Sequence, residues 1–313
     1  MTIRNFEDLP LCPEVMKGIE ELGFTELFPI QAQAIIPLLD GKDVIGQAQT
    51  GTGKTAAFGI PMVERIDPNN KKVQGLVLAP TRELAIQVAT RISRFSKYTK
   101  LKVLPVYGGE SINKQIRALQ RGVHIVVGTP GRTIDHLKRG TLNLSSTHIV
   151  VLDEADRMLD MGFIDDINFI LSRVPKQRQL SLFSATMDKS VMAMCQRYMK
   201  DPEEVLVSKD EIALEQLNQY YMVVNSRNKL DYLLKMLNSY NVEKAIIFCN
   251  TRRGTDWLAR KLRQHKYSAE PLHAGFTQAQ RERVTRGFRE GKFDFLVATD
   301  VAARGLDIQG ITH

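Results

Sequence analysis

Residues 48–55 read AQTGTGKT, and the fold turns on how that stretch is taken. It follows the apolar DVIG (43–46) and runs into the helical pattern TAAFGIPMVERI (55–66). A short apolar strand, a glycine-broken loop and a helix start make the context of a phosphate-binding P-loop. Consecutive backbone N–H groups then converge on phosphate oxygens at a helix N-terminus. The loop is supplied by Gln49, Thr50, Gly51, Thr52 and Gly53. Lys54 would reach the β- and γ-phosphates of a bound nucleotide, and the Thr55 hydroxyl would ligate Mg²⁺. The pattern G-x-x-x-x-G-K-[ST] is met, except that Ala48 stands where the first glycine belongs.

Outward from the loop, short β-branched runs alternate with amphipathic helical segments. Expected strands are GLVLAP (75–80), LKVLPVYG (101–108), HIVVGTP (124–130), HIVVLDE (148–154) and LSLFSAT (180–186). The alternation predicts an α/β fold, parallel sheet with helices on both faces. The charged stretch from Lys200 onward breaks the rhythm and places a linker at 208–216, between a domain at 1–207 and another at 217–313. The alternation then restarts with QYYMVVN (219–225) and a helix carrying Leu230, Leu233, Leu234 and Leu237 at helical spacing. KAIIFCNT, AEPLHAG and FDFLVATD follow as strands, with helices between them.

VVLDEAD (150–156) supplies the other half of the nucleotide site. An apolar strand ending in Asp153 and Glu154 sets two carboxylates where such folds bind ligands. Asp153 is suited to hold Mg²⁺ through water, and Glu154 to orient or deprotonate an attacking water.

Composition agrees with this class. The 313 residues are 43% hydrophobic and 25% charged, with a net charge of +8. Up to residue 208 there are 26 Lys and Arg against 23 Asp and Glu; beyond it, 17 against 12. An anionic partner fits this surplus. No apolar run is long enough to span a membrane. The N-terminus lacks an apolar leader, and Cys12, Cys195 and Cys249 are widely spaced, which reads as a reduced, cytoplasmic protein.

Asp153-Glu154-Ala155-Asp156 gives the DEAD-box ATP-dependent RNA helicases their name, and the chain resembles that family along nearly all its length. PTREL (80–84), Gly108-Gly109, TPGR (129–132) and SAT (184–186) appear in family order. IIFCNTR (246–252), QAQR (278–281) and ATDVAARGLDI (298–308) follow. The resemblance implies two RecA-like P-loop domains in tandem, with ATP, Mg²⁺ and RNA bound across the cleft between them. It implies catalytic roles for Lys54, Asp153 and Glu154. Upstream, GFTELFPIQ (23–31) is similar to the family's adenine-recognition segment, with Gln31 and the isolated Phe6 reading the base. Leu27-Phe28 departs from the usual Pro-Thr there.

Contacts to the RNA sugar-phosphate backbone are implied for Thr81, Arg82, Gly109, Thr129 and Arg132, and for Thr251, Gln278, Arg281 and Thr299 in the second domain. Ser184, Thr186 and Asp156 would couple the ATP carboxylates to that track. Asp300 and Arg304, with Asp307 beside them, would face the nucleotide from the second domain. Backbone contact without base readout makes binding sequence-independent and salt-sensitive. The implied activity is RNA-stimulated ATP hydrolysis driving local duplex unwinding and RNA release. Ribosomal or mRNA-decay ribonucleoproteins are the expected settings.

A DNA helicase is opposed by the DEAD sequence and the adenine segment, and a transport ATPase by the lack of a membrane run or an LSGGQ-like signature. Family members carry a further strand–helix–strand portion with an HRIGRTGR-like motif, whereas these residues stop at His313. The expectation is a second domain incomplete at its C-terminus, with an unpaired edge beside FDFLVATD and exposed apolar surface. Impaired turnover by the 313-residue chain alone is expected too, which leaves an ATP-gated RNA clamp as the alternative reading.

Overall fold

The structure, a computed structural model, describes residues 3–49, 51–207, 218–240, 242–303, 308 and 310–313. Thr50, Arg304, Asp307 and the expected linker at 208–216 lie outside the described residues. Two compact units divide the chain, Met1–Ile212 and Ala213–His313.

In the first unit α1 (Pro13–Glu20) and α2 (Pro29–Leu39) precede β1 (Val44–Gln47). Helix and strand then alternate through α3 (Lys54–Arg65), β2 (Gly75–Leu78), α4 (Arg82–Phe95), β3 (Val103–Val106) and α5 (Ile112–Gln120). Next come β4 (Ile125–Gly128), α6 (Pro130–Lys138), β5 (Ile149–Asp153), α7 (Ala155–Asp160) and α8 (Ile164–Leu171). The unit closes with β6 (Gln179–Ser184), α9 (Lys189–Tyr198) and β7 (Glu203–Leu206). All seven strands pair parallel, in the order β3-β4-β2-β5-β6-β1-β7.

The uniformly apolar strands exist because both faces of the sheet are covered. Neighbouring residues of one strand point to opposite faces. Val150 and Leu152 therefore join one core with Leu76, Leu78 and Val126, while Val151 joins the other with Val77 and Val127. The strand β7 was not legible in the sequence. Its EEVL buries only Val205, because it lies at the sheet edge with one neighbour, and charges are the usual protection of such an edge.

The second unit holds α10 (Lys229–Ser239), β8 (Ala245–Phe248), α11 (Arg252–Gln264), β9 (Ala269–Leu272), α12 (Gln278–Arg289), β10 (Phe295–Ala298) and α13 (Asp300–Ala303). Its parallel sheet runs β8-β10-β9. The leucine stripe of α10 packs on a core with Leu258, Leu262 and Val297, as its spacing predicts.

Two expectations are corrected here. QYYMVVN forms no strand: residues 218–225 join no ladder, and Tyr220 and Tyr221 are 87% and 93% exposed. Aromatic and β-branched content favours a strand only where a partner buries it. The segment FDFLVATD, expected beside an open edge, supplies the central strand instead, with β8 and β9 on its two sides. At the outer side of β8, the Thr312 N–H donates to the Lys244 carbonyl and the Ile246 N–H to that of His313.

Candidate functional site

Strand order sorts the motifs into two groups along the C-terminal edge of the first sheet, where open α/β sheets take their ligands. The loops after β5, β6 and β1, which are neighbours, carry DEAD, SAT and the glycine loop. Those after β3, β4 and β2, also neighbours, carry Gly108-Gly109, TPGR and PTREL. Motifs far apart in sequence thus become two adjoining stretches of one edge.

The glycine loop is held tightly. Gly51 and Gly53 have φ of 88° and 89°, the left-handed region that side chains rarely adopt. A Cβ at Gly53 would fall 2.2 Å from Gln31 Nε2, so a side chain there would push that amide aside. The Thr52 hydroxyl donates to the Gln49 carbonyl at 2.8 Å. Buried Lys54 donates from Nζ to the Ala48 carbonyl at 2.9 Å, which parks the ammonium within its own loop. Helix α3 starts at Lys54, followed by the half-buried Thr55, so the amides of a helix N-terminus face the loop.

Gln31, on α2, reaches this loop: its Nε2 donates to the Gly53 carbonyl at 3.1 Å, and its Oε1 accepts from the Phe28 N–H at 2.9 Å. Gln31 is 2% exposed, and these two bonds use one donor and one lone pair of its amide. Phe6 is 2% exposed and packs against Phe24, ring centroids 5.5 Å apart. Here the ring is a core contact that presents no open face.

Asp153 ends β5 at 2% exposure, and its Oδ1 is buried without a hydrogen-bond partner. Burial pushes its carboxyl up to about 6, against the pull of the Lys54 charge. An orphaned carboxylate oxygen near a lysine, on the strand next to the P-loop strand but one, could hold a cation, with the Thr55 hydroxyl as a further oxygen ligand. Glu154 sits at φ 53°, ψ 52°, a left-handed conformation costing a non-glycine residue roughly 1–2 kcal/mol. Strain of this kind gathers at functional sites. The turn reverses strand into α7 within one residue and leaves the Glu154 carboxylate buried, where it accepts from Arg157 Nη1 at 2.9 Å. Burial also raises the Glu154 carboxyl, with Arg157 and Lys54 opposing.

The Asp153 environment gives a pH prediction for the nucleotide-free chain. Its proton is kept up to about pH 6 in the fold, but only to the ordinary 3.8 when unfolded. Between those values the fold binds the additional proton, so stability falls as pH rises through this window and stays lower above it. Asp153→Asn should flatten that decline and stabilise the ligand-free first unit at pH 7.5 by up to about 3 kcal/mol. Urea unfolding of both chains at pH 4.5 and 7.5 measures it; identical pH slopes would reject it.

Asp156 connects the carboxylates to the turn after β6. Its Oδ2 accepts from both the N–H and the hydroxyl of Thr186, each at 3.1 Å. The Asp156 N–H donates to Ser184 Oγ at 3.3 Å, and that hydroxyl donates to the Thr186 carbonyl at 2.7 Å. Asp156, Ser184 and Thr186 therefore form one closed unit.

On the other half of the edge, Thr81 caps α4 by accepting from the Leu84 N–H at 3.2 Å. A Cβ on Gly108 would meet the Arg82 guanidinium at 3.4 Å, so those two motifs touch. Gly109 turns with φ 87°, and the Thr129 N–H donates to the Val106 carbonyl at 3.0 Å. Arg132 Nη1 donates to the Glu110 carbonyl and to Gln115 Oε1, at 3.1 and 3.0 Å. Behind it stand residues no motif pointed to. Buried His136 shares Gln115 Oε1 at 3.0 Å, and Gln115 Nε2 donates to the Tyr107 carbonyl at 3.0 Å. Lone buried polar residues leave no pattern in sequence, so only the fold reveals them.

In the second unit Thr251 caps α11, accepting from the Gly254 N–H at 3.0 Å. Thr299, just past the central strand, donates its N–H to the Leu272 carbonyl at 3.2 Å, and Asp300 starts α13. Arg281 Nη2 reaches the Ala302 carbonyl at 3.4 Å, and Gln278 bonds Glu282 on the α12 surface at 3.0 Å. The loops after β8 and β10 thus bring Thr251 and Thr299 to neighbouring strand ends.

Known proteins match this arrangement. The DEAD/DEAH box helicase family model matches residues 28–194, and the helicase conserved C-terminal domain model matches 228–313. The chain is 53% identical over 308 residues to the DEAD-box ATP-dependent RNA helicase CshA of Geobacillus kaustophilus, covering 98% of this chain and 66% of that protein. CshA of Bacillus subtilis is 51% identical over 313 residues, with 63% of its length covered. The chain thus spans just under two thirds of these relatives. Among solved structures, Saccharomyces cerevisiae Dbp5 bound to RNA and ADP BeF3 aligns with a TM-score of 0.88 at 34% identity, covering 99% of this chain and 79% of that one. A DEAD box protein from the hyperthermophile Methanococcus jannaschii aligns at 0.65 and 39%, covering 99% and 84%. The chain belongs to the DEAD/DEAH box helicase family.

Proposed function

We propose that this chain is the ATP- and RNA-binding core of an ATP-dependent RNA helicase or ribonucleoprotein remodeller, which uses hydrolysis for local unwinding and RNA release. The bonding of Asp156 to Thr186 and Ser184 carries the reading. It ties the strand tip bearing the carboxylates to the next strand's turn, so a change at the nucleotide is felt beyond the nucleotide.

Lys54 would turn from the Ala48 carbonyl to the phosphates, while the loop and α3 amides cradle them. Asp153 and Thr55 would hold Mg²⁺, which neutralises charge on the phosphate oxygens when bound. Glu154 would orient the attacking water and take its proton, and burial, which raises its carboxyl, makes it a stronger base. Thr81, Arg82, Gly109, Thr129 and Arg132, and in the second unit Thr251, Gln278, Arg281 and Thr299, would hold the RNA backbone. A capping threonine is not excluded from this role: its oxygen accepts the cap bond while its hydrogen donates outward.

ATP turnover with RNA, with DNA and with no nucleic acid tests the proposal. Stimulation by RNA alone is expected; equal stimulation by DNA, or none, would remove the RNA reading. Gln31→Ala should narrow the preference for ATP over GTP by roughly tenfold. The ratio is the readout, since loosening Gly53 weakens both nucleotides alike. An unchanged ratio would mean that adenine is read elsewhere.

A further inference from the structure

At the N-terminal ends of the first unit's strands, opposite the glycine loop, the surface holds a depression of mixed apolar and polar lining, rimmed by cations. It encloses about 590 Å³ between Leu137 and Lys138 of α6, Leu142 and Leu144 before β5, and Phe169 and Arg173. A second hollow of about 190 Å³ shares Leu142 with it and adds Lys71 and Lys72 before β2. The residues lining the two include these four cations and no carboxylate. Among the described residues none of the four makes an ion pair. Lys138 and Arg173 lie over the Phe169 ring instead, 5.8 and 4.9 Å from its centroid.

We propose that this depression docks an acidic peptide segment of a partner protein, one that carries leucine or phenylalanine among its carboxylates. Leu142 and Leu144 form a floor continuous with the core, which gives an apolar side chain somewhere to bury. Among the described residues the cations around it make no ion pair, which leaves them to steer and select an acidic chain. RNA fits less well. Sequence-independent strand binding relies on aromatic faces for stacking, and the Phe169 ring already has two cations over it. The glycine loop, DEAD, SAT and the implied RNA motifs of this unit follow the C-terminal ends of strands, and Gln31 reaches the glycine loop, so a peptide here leaves them open.

The test is fluorescence anisotropy of the 313-residue chain with a labelled peptide that alternates Asp or Glu with Leu or Phe. Saturable binding in the micromolar range is expected. Lys138→Glu with Arg173→Glu should weaken it about tenfold, and Lys71→Glu with Lys72→Glu should do so independently. Arg132→Ala should leave it unchanged. Peptides with amides for the carboxylates, or serine for the apolar residues, should each lose about tenfold. The proposal is overturned by no saturable binding up to ~1 mM, by equal affinity of the charge-reversed chains, or by displacement of the peptide with oligo(U). Oligo(U) binding that falls as much on Lys138 and Arg173 reversal as on Arg132→Ala would assign the surface to RNA and overturn it too.

Discussion

Glu154→Gln should lower ATP turnover by about 10²–10⁴ while nucleotide binding survives. An amide keeps the volume and one acceptor of the carboxylate but cannot take a proton from water. The cradle is otherwise intact, since Lys54, Thr55 and the loop glycines lie on other elements. The variant also relieves the burial of a charge, because Glu154 is enclosed and its carboxyl is raised by desolvation. Arg157 loses its ion pair at 2.9 Å yet is partly exposed and can be solvated. Stability should therefore change little. Two measurements separate the outcomes: turnover relative to the parent chain, and the thermal shift with excess ATP and Mg²⁺, which reports binding to the folded state. Parental turnover would show that Glu154 is not the base. A lost thermal shift would give it a binding role instead.

The proposed nucleotide half of the site was legible because its chemistry is local in sequence. Eight consecutive residues make the loop, and the strand β5 delivers both carboxylates at its tip. The left-handed turn at Glu154 was not legible, since nothing in the residue type asks for it; only the strand-to-helix reversal does. Core strands announced themselves by uniform apolar runs. The edge strand β7 hid behind its charges, and QYYMVVN carried the composition of a strand without the partner that makes one. Phe6 shows the same limit at one residue, because an aromatic ring reads alike whether it meets a base or fills a core. Gln115 bonds Arg132 and His136 across 17 and 21 residues, a relation set by where the fold brings α5 and α6 together.

Under the proposed function, Asp156→Ala should abolish most of the RNA stimulation of turnover while leaving ATP binding near parental. The effect expected is 5- to 150-fold, the usual span of coupling between two sites. Asp156 contributes nothing to the phosphate cradle itself. Its carboxylate is spent on the Thr186 N–H, the Thr186 hydroxyl and the Arg157 N–H. Removing it strips three hydrogen bonds, but Thr186 is exposed and Arg157 half-buried, so water can replace part of what is lost and the variant should melt somewhat earlier. Loss of stability and loss of coupling must therefore be told apart, and Thr186→Val does so. It deletes only the hydroxyl bond at 3.1 Å and keeps the backbone one. If the closed unit transmits binding, Thr186→Val should reduce RNA stimulation several-fold with only a small change in melting. The double variant should then lose no more than Asp156→Ala alone, because the two act through one bond. Binding coupling is reciprocal, so both variants should weaken the increase in RNA affinity caused by ATP and the increase in ATP affinity caused by RNA by one common factor. RNA stimulation that survives both changes, or losses that simply add, would mean that the signal leaves the carboxylates by another route.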